Sequence, residues 1–170
     1  MLKVGVDYMF EIVPCELHHA KQIAKLCGDS WQQMMSPVLS EEYQLRARLV
    51  WFNEQRIIHE IQQGIYTHCA KINEKIVGVI GGRIINETIS FISVFHVDSL
   101  YRSSGIGKQL LHAFSTTHQI LGANRQQVHV LTINSKAILF YERHGFQQTT
   151  NLAIPFSFLD EHMLSYQRQI

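Results

Sequence analysis

The sequence predicts an α/β fold organised around one mixed sheet with flanking helices, and three observations predict it. The chain has 170 residues, a length that suits one domain with a real hydrophobic core. Between Tyr66 and Val97 the periodicity changes from helical to extended, with three strand-type runs in succession. After Val97 a glycine-containing loop opens an amphipathic helix, and strand and helix patterns then alternate. No repeat, low-complexity tract or Pro/Gly/Ser-rich linker interrupts the chain, so residues 1–170 read as a single domain.

Each element follows from its own pattern. Phe10 to Val13 is a short apolar run ended by Pro14, a first strand. Leu17, Ala20, Ile23, Ala24 and Cys27 fall at helical spacing, and Gly28 supplies a stop. Trp31 to Pro37 is irregular and reads as a loop. Ser40 suits the cap of a second helical stretch, with Glu41 and Glu42 in its electropositive first turn. That stretch carries Leu45, Leu49, Phe52, Ile58 and Ile61, with Asn53 as a candidate break into two and Gly64 as the terminator.

Tyr66 to Ile72, Ile76 to Ile84 and Ile89 to Val97 are then strands of an antiparallel meander. Asn73-Glu74-Lys75 and Asn86-Glu87-Thr88 supply its turns. Asp98 to Ser104 forms a loop, and Gly105 opens a helix with Ile106, Leu110, Leu111, Phe114, Ile120 and Leu121 on one broad stripe. Gly122 ends that helix. Gln126 to Leu131 is a strand, and Ser135 to His144 a helix closed by Gly145. Thr149 to Ile154 and His162 to Arg168 read as two more extended pieces, joined by a loop starting at Pro155.

Bulk composition excludes several function classes. The apolar fraction of 46% and charged fraction of 17% are those of an ordinary globular protein. Fifteen Lys and Arg stand against 14 Asp and Glu, a net charge of +1 that provides no broad basic field for nucleic acid. The longest apolar stretches, such as Ile76 to Gly82, are strand-sized and too short to span a bilayer. The N-terminal MLKVGVDYMFEIVP has no signal-peptide pattern, and Cys15, Cys27 and Cys69 include no CxxC pair. A cytoplasmic protein with reduced thiols is expected. Ten histidines include no HExxH or HxH arrangement, so no metal site is expected and the imidazoles read as surface or partly buried polar groups.

The central chemical feature is the strand that runs into Arg102-Ser103-Ser104-Gly105-Ile106-Gly107 and then into a helix. The glycines let backbone approach a ligand closely, and the N–H groups at the helix start lie where the macrodipole favours an anion. Arg102 and Lys108 add cationic donors for phosphate oxygens. A pyrophosphate suits such a cradle; a tight loop with glycines placed for packing is the alternative. The run is not a dinucleotide fingerprint, because position 110 is Leu110, and it lacks the Gly-Lys-Ser/Thr of a P-loop.

Two segments carry a family resemblance. Phe95-His96-Val97 through Lys108, with Arg102-x-x-Gly105-x-Gly107, resembles the coenzyme A-binding segment of GNAT acetyltransferases. Asn134 to Phe146 (NSKAILFYERHGF) resembles the family's second segment at Asn134, Ala137, Tyr141, Gly145 and Phe146. The likeness covers about residues 66–146 and implies a GNAT-like domain with a mixed, mostly antiparallel, split sheet. It implies acetyl-CoA as co-substrate and transfer of its acetyl group to a primary amine.

The resemblance also implies roles. The backbone of Phe95, His96 and Val97 would pair with the pantetheine arm, and the N–H groups of Ser103, Ser104, Gly105, Ile106, Gly107 and Lys108, beside Arg102, would hold the pyrophosphate. Asn134 would contact the cofactor, cap the helix at Ser135, or both. Tyr141 would donate a hydrogen bond or proton to the leaving thiolate; an aromatic core residue is the alternative. Where several members place a basic Glu, this chain has Phe91 or Ser93. His129 aligns with a second base position and would act through water, with His96 behind it as a candidate and a simple water chain as a further alternative. Ser99 stands where the family usually has Pro.

In this fold the acceptor region comes from residues 14–64 and 147–170. Trp31, Met34, Met35, Tyr43, Trp51 and Phe52 supply apolar surface there or pack in the helical core, and Phe156 and Phe158 flank the last loop. Glu41, Glu42, Asp160 and Glu161 are the carboxylates available for a polyamine. A neutral chain without recruitment tails favours a small-molecule amine over a peptide amine, and a non-catalytic acyl-CoA sensor is the rival class. Longer acyl donors and a homodimer through terminal strands stay open.

Overall fold

A computed structural model describes residues 9–153 and 162–170. It has the predicted α/β class, with one seven-stranded mixed sheet in the order β1-β2-β3-β4-β5-β7-β6. The residues group into two compact units, Met1–Gly81 with Val94–Phe114 and Gly82–Ser93 with Ser115–Ile170. Strands β3 (Lys75–Ile85) and β4 (Ile89–Val97) and helix α4 (Ile106–Ile120) each run through both.

The first unit opens with β1 (Glu11–Pro14), a 3-10 turn at Leu17–His19 and α1 (Ala20–Met35). It continues through α2 (Glu41–Trp51), α3 (Glu54–Gln62) and β2 (Tyr66–Ile72). β1 lies antiparallel on β2, with Val13 opposite Cys69, and β2 lies antiparallel on β3. Ile23, Cys27, Ile57, Cys69 and Val79 are fully excluded from solvent in the core beneath these helices. Each such aliphatic side chain contributes roughly 1.5–3 kcal/mol by leaving water.

The helical region corrects two expectations. α1 does not stop at Gly28, and the segment from Trp31 to Met35 is helix rather than loop. Gly28 is buried, and a Cβ there would come within 3.3 Å of the Arg48 side chain and 3.4 Å of Phe52. Its glycine therefore serves packing against α2. The extension also sets Trp31 edge-on to Trp51 at 5.9 Å and lets Asp29 pair with Arg48 at 2.7 Å. Ser40 caps its helix as expected, accepting the Tyr43 N–H at 3.3 Å, and Asn53, the expected break, also caps the helix that follows by accepting the Arg56 N–H at 2.9 Å.

The second unit contains β5 (Arg125–Leu131), α5 (Ser135–Arg143), β6 (Gln147–Thr149) and β7 (Met163–Gln169). β5 runs parallel to β4 from Ile89↔Arg125 to Ile92↔Val128, where the ladder ends although both strands continue. β7 pairs antiparallel with β5 over its whole length and with β6 on its other side. The extended piece expected at Thr149 to Ile154 is shorter and earlier: strand ends at Thr149, and residues 150–153 leave it. Asn151 donates its N–H to Thr149 Oγ1 at 3.1 Å, a local turn that competes with the ladder. Pro155, Phe156, Phe158, Asp160 and Glu161 fall outside the described residues. Among the described residues no helix is long and apolar enough to cross a membrane.

Candidate active site

The segment read as an anion cradle, Arg102 to Lys108, lies within the first unit. β4 delivers Phe95, His96 and Val97, all half-buried, to a short loop whose start is set by Asp98. Asp98 donates its N–H to the Val77 carbonyl at 2.9 Å, accepts the Leu100 N–H at 3.0 Å and pairs with Lys75 at 3.0 Å. That carboxylate holds the Lys75 pKa above the ordinary lysine range. Lys75 also lies 4.9 Å over the Tyr101 ring, so the loop's first turn is fastened on two sides. Sequence reading left Asp98 as an anonymous loop residue. An Asp opening a turn, two residues before the amide it accepts, was the available signal.

Beyond Tyr101 the backbone takes an unusual course. Ser103 has φ +67° and Gly105 φ +89°, with Ser104 between them. A non-glycine residue in the left-handed region is strained, and such strain gathers where structure serves a ligand. Arg102 Nε donates to the Val97 carbonyl at 3.1 Å, and Ser104 Oγ donates to the Tyr101 carbonyl at 2.5 Å. These two bonds close the loop on itself. Arg102, Ser103, Gly105 and Lys108 are exposed, whereas Ile106 is buried and anchors the start of α4. A Cβ added at Gly105 would meet nothing within 4 Å, so the loop surface there is open. The first intrahelical bond runs from Gln109 N–H to the Gly105 carbonyl. The amides of the turn before it are those a helix cannot satisfy itself.

His96 belongs to the same unit. Burial, with the Arg102 charge adding to it, pushes its imidazole down to about 4. The ring is therefore neutral at physiological pH and a poor base toward an ammonium group, which weakens its standing as the proton acceptor.

The remaining predicted residues lie in the second unit. Asn134 caps α5, its Oδ1 accepting the Ala137 N–H at 3.2 Å. The capping alternative is thus realised, and its amide remains a candidate cofactor contact. Tyr141 is 4% exposed on α5, with its ring edge-on to Phe140 at 5.5 Å and to Phe146 at 5.1 Å. Burial pushes its phenol well above the ordinary tyrosine range, while the positive charge of Arg168 acts in the opposite direction. His129 is half-buried on β5 and meets Phe91 at 4.9 Å with the rings 70° apart. One of the two residues at the first base position, Phe91, therefore packs on His129 at the second.

Of the expected acceptor-region residues, Met35 is buried and Trp31 contacts both Trp51 and Phe52, so these belong to helix packing. Tyr43 is exposed, and Glu42 pairs with Arg46 at 3.1 Å on the surface of α2. Among the described residues no group of three or more His, Cys, Asp or Glu is placed to hold a metal ion.

Comparison with known proteins agrees with this geometry. The PaiA N-acetyltransferase of Thermoplasma acidophilum, solved in complex with coenzyme A, superposes with a TM-score of 0.83 at 18% identity. The match covers 95% of this chain and 99% of that one. A GNAT-family acetyltransferase of Staphylococcus aureus Mu50 gives a TM-score of 0.74 at 20% identity over 95% and 99% of the two chains. Ard1 of Thermoplasma volcanium gives 0.67 at 20% identity over 95% and 97%. At these identities the likeness establishes the fold. Family membership comes from the sequence profile described as acetyltransferase (GNAT) family, which matches residues 24–146, well over half of the chain. The chain carrying this strained, open cradle at the head of α4 belongs to the GNAT acetyltransferase family.

Proposed function

We propose that this acetyltransferase moves an acetyl group from acetyl-CoA to the nitrogen of a primary amine by direct attack on the thioester, and that the acceptor is a small molecule. The observation that carries the reading is the exposed cradle, with positive φ at Ser103 and Gly105 and open space over Gly105. Coenzyme A fits it, because a pyrophosphate needs convergent N–H donors, nearby cations and no obstructing side chain. Ser103 to Lys108 would supply the N–H groups, with Arg102 and Lys108 as the cations. The backbone of Phe95, His96 and Val97 lies past the end of the β4–β5 ladder at Ile92 and would pair with the pantetheine arm. When bound, the co-substrate supplies an activated acetyl thioester.

The chain's own groups then manage protons. Tyr141 would hold a hydrogen bond to the departing sulfur from its Oη and give up its proton as charge develops there. The phenol's burial keeps it protonated at neutral pH, as a donor requires. His129 would take the proton released by the amine through water, with an imidazole ring nitrogen as the acceptor. The net charge of +1 supports a small acceptor over a nucleic-acid-associated one. Peptide amines are the nearest competing class.

Calorimetric titration with acetyl-CoA tests the reading, repeated on Gly107→Trp, which puts an indole into the first turn of α4. One-site binding lost in the variant supports the cradle and leads to an amine screen read by thiol release. No binding by the natural sequence sinks the proposal.

A further inference from the structure

Arg168, near the end of β7, is a half-buried cation held entirely by neutral groups. Its Nε and Nη2 both donate to Gln126 Oε1, at 3.0 and 2.8 Å. Nη2 also donates to Ser115 Oγ at 2.7 Å, and Nη1 donates to the His144 carbonyl at 2.9 Å. These acceptors are themselves fixed: Ser115 Oγ donates to Gln126 Oε1 at 3.1 Å, and Gln126 Nε2 donates to Ser90 Oγ at 3.2 Å. Gln126, Ser115 and Ser90 are all buried. Among the described residues, no carboxylate lies within ion-pair distance of Arg168. Orientation is over-determined, and no described carboxylate neutralises the charge.

The guanidinium carbon sits 4.7 Å over the ring of Phe146, and that ring meets Tyr141 edge-on at 5.1 Å, 67° between planes. Phe146 is 2% exposed and Tyr141 4%, so the two rings beside the guanidinium are largely shut off from water. In such surroundings a charge acts over several ångströms with weak screening. A residue needed only to fasten β7 to β5 would do as well with a counter-ion or as an apolar side chain. What an uncompensated guanidinium adds is a positive field on its aromatic neighbours.

We propose that Arg168 is a positioning residue for Tyr141: stacked on Phe146 and with no carboxylate beside it among the described residues, it fixes the aromatic platform and makes loss of a proton from the Tyr141 oxygen easier. This rests on the reading of Tyr141 as proton donor. Burial holds the phenol above the ordinary tyrosine range, and the cation lessens that displacement without exposing the ring to water. It also gives the Phe146 ring a purpose beyond filling space, as the surface on which the guanidinium stacks.

The test uses the full chain with a fluorinated tyrosine at position 141, whose phenol ionises within the pH range the fold survives. Its ionisation is followed by fluorine NMR with Arg168 present, in Arg168→Lys and in Arg168→Met. The neutral variant should weaken the phenol by about tenfold in acidity or more, and the lysine variant should recover most of the difference. Arg168→Gln, which keeps an amide donor for Ser115 and Gln126, replaces Arg168→Met should that variant not fold. A folded neutral variant whose phenol ionises as in the parent overturns the inference. Tyr141→Phe, assayed by thiol release with the amine from the screen, separates this from the proposed function. A slow Tyr141→Phe beside an unmoved phenol fails the inference alone. A shifted phenol in an enzyme indifferent to Tyr141→Phe supports the coupling and removes the acid role.

Discussion

His96 stands one residue before the end of β4, and its imidazole is pushed down to about 4 by burial, with Arg102 adding to the effect. The unfolded chain takes up that proton first as pH falls from about 6.5, so folding stability declines between about pH 6.5 and pH 4. Allowing for partial exposure, His96 should remove about 1–2 kcal/mol between pH 7 and pH 5. His96→Gln should abolish that share, read from urea unfolding at the two pH values; equal losses in both proteins would refute it. Tyr141→Phe belongs to the same scale. It should lower kcat by about 10²–10⁴ while leaving the acetyl-CoA Kd unchanged. An unaltered kcat would remove Tyr141 from the mechanism, whereas acetyl-CoA binding with no turnover of any amine would favour the sensor class, for which Phe91 and Ser93 in place of a Glu are the supporting feature. Tyr141 and Asn134 were legible because their residue types and spacing match a motif. Arg168 was not, since it lies 42 residues from Gln126 and nothing in its local sequence marks the contact.

At the scale of elements, glycines divide by what surrounds them. A Cβ on Gly82 of β3 would sit 1.9 Å from the Phe91 carbonyl oxygen, and one on Gly81 would sit 2.0 Å from that of Ile65. At Gly78 the nearest atom is Leu110 Cδ1 at 2.8 Å, the end of a flexible side chain. Gly82→Ala should therefore destabilise by about 3 kcal/mol or more and Gly78→Ala by about 1 kcal/mol, in thermal or denaturant unfolding. Similar values for the two would show that the backbone contact yields freely. Three glycines in one strand announced close approach, but not which neighbour approaches. Gly28 misled for the same reason, because a helix stop and a helix–helix packing position look alike until the second helix is placed. The Ser40 cap was legible outright, and so was the break at Asn53, which the structure shows also caps α3. Asn53→Ala should lower stability by about 1 kcal/mol on the same measurement.

For the whole molecule, cofactor binding and folding are linked. If acetyl-CoA binds only the folded chain, a concentration a hundred times its Kd adds about 2.7 kcal/mol. For a chain of this size that raises Tm by about 5–10 °C. Gly107→Trp should show no such rise, although its own Tm is measurable; a rise in both would place the binding elsewhere. The sheet also bears on the homodimer through terminal strands that the sequence left open. β7 already has β5 on one side and β6 on the other, so pairing of two chains through their C-terminal strands would displace β6.

Local chemistry is what the sequence by itself determined: the α/β class, the meander from Tyr66 to Val97, the helix caps, and a glycine-bearing cradle at Arg102 to Lys108. These rest on periodicity, capping and turn propensity, which act over a few residues and are written within them. Tertiary structure alone decided that α1 passes through Gly28, that Asp98 ties the loop to Lys75 and Val77, that burial lowers the His96 imidazole, and that Arg168 stacks on Phe146 with neutral partners among the described residues. Each of these depends on groups far apart in the chain, and on how little water remains between them once they meet.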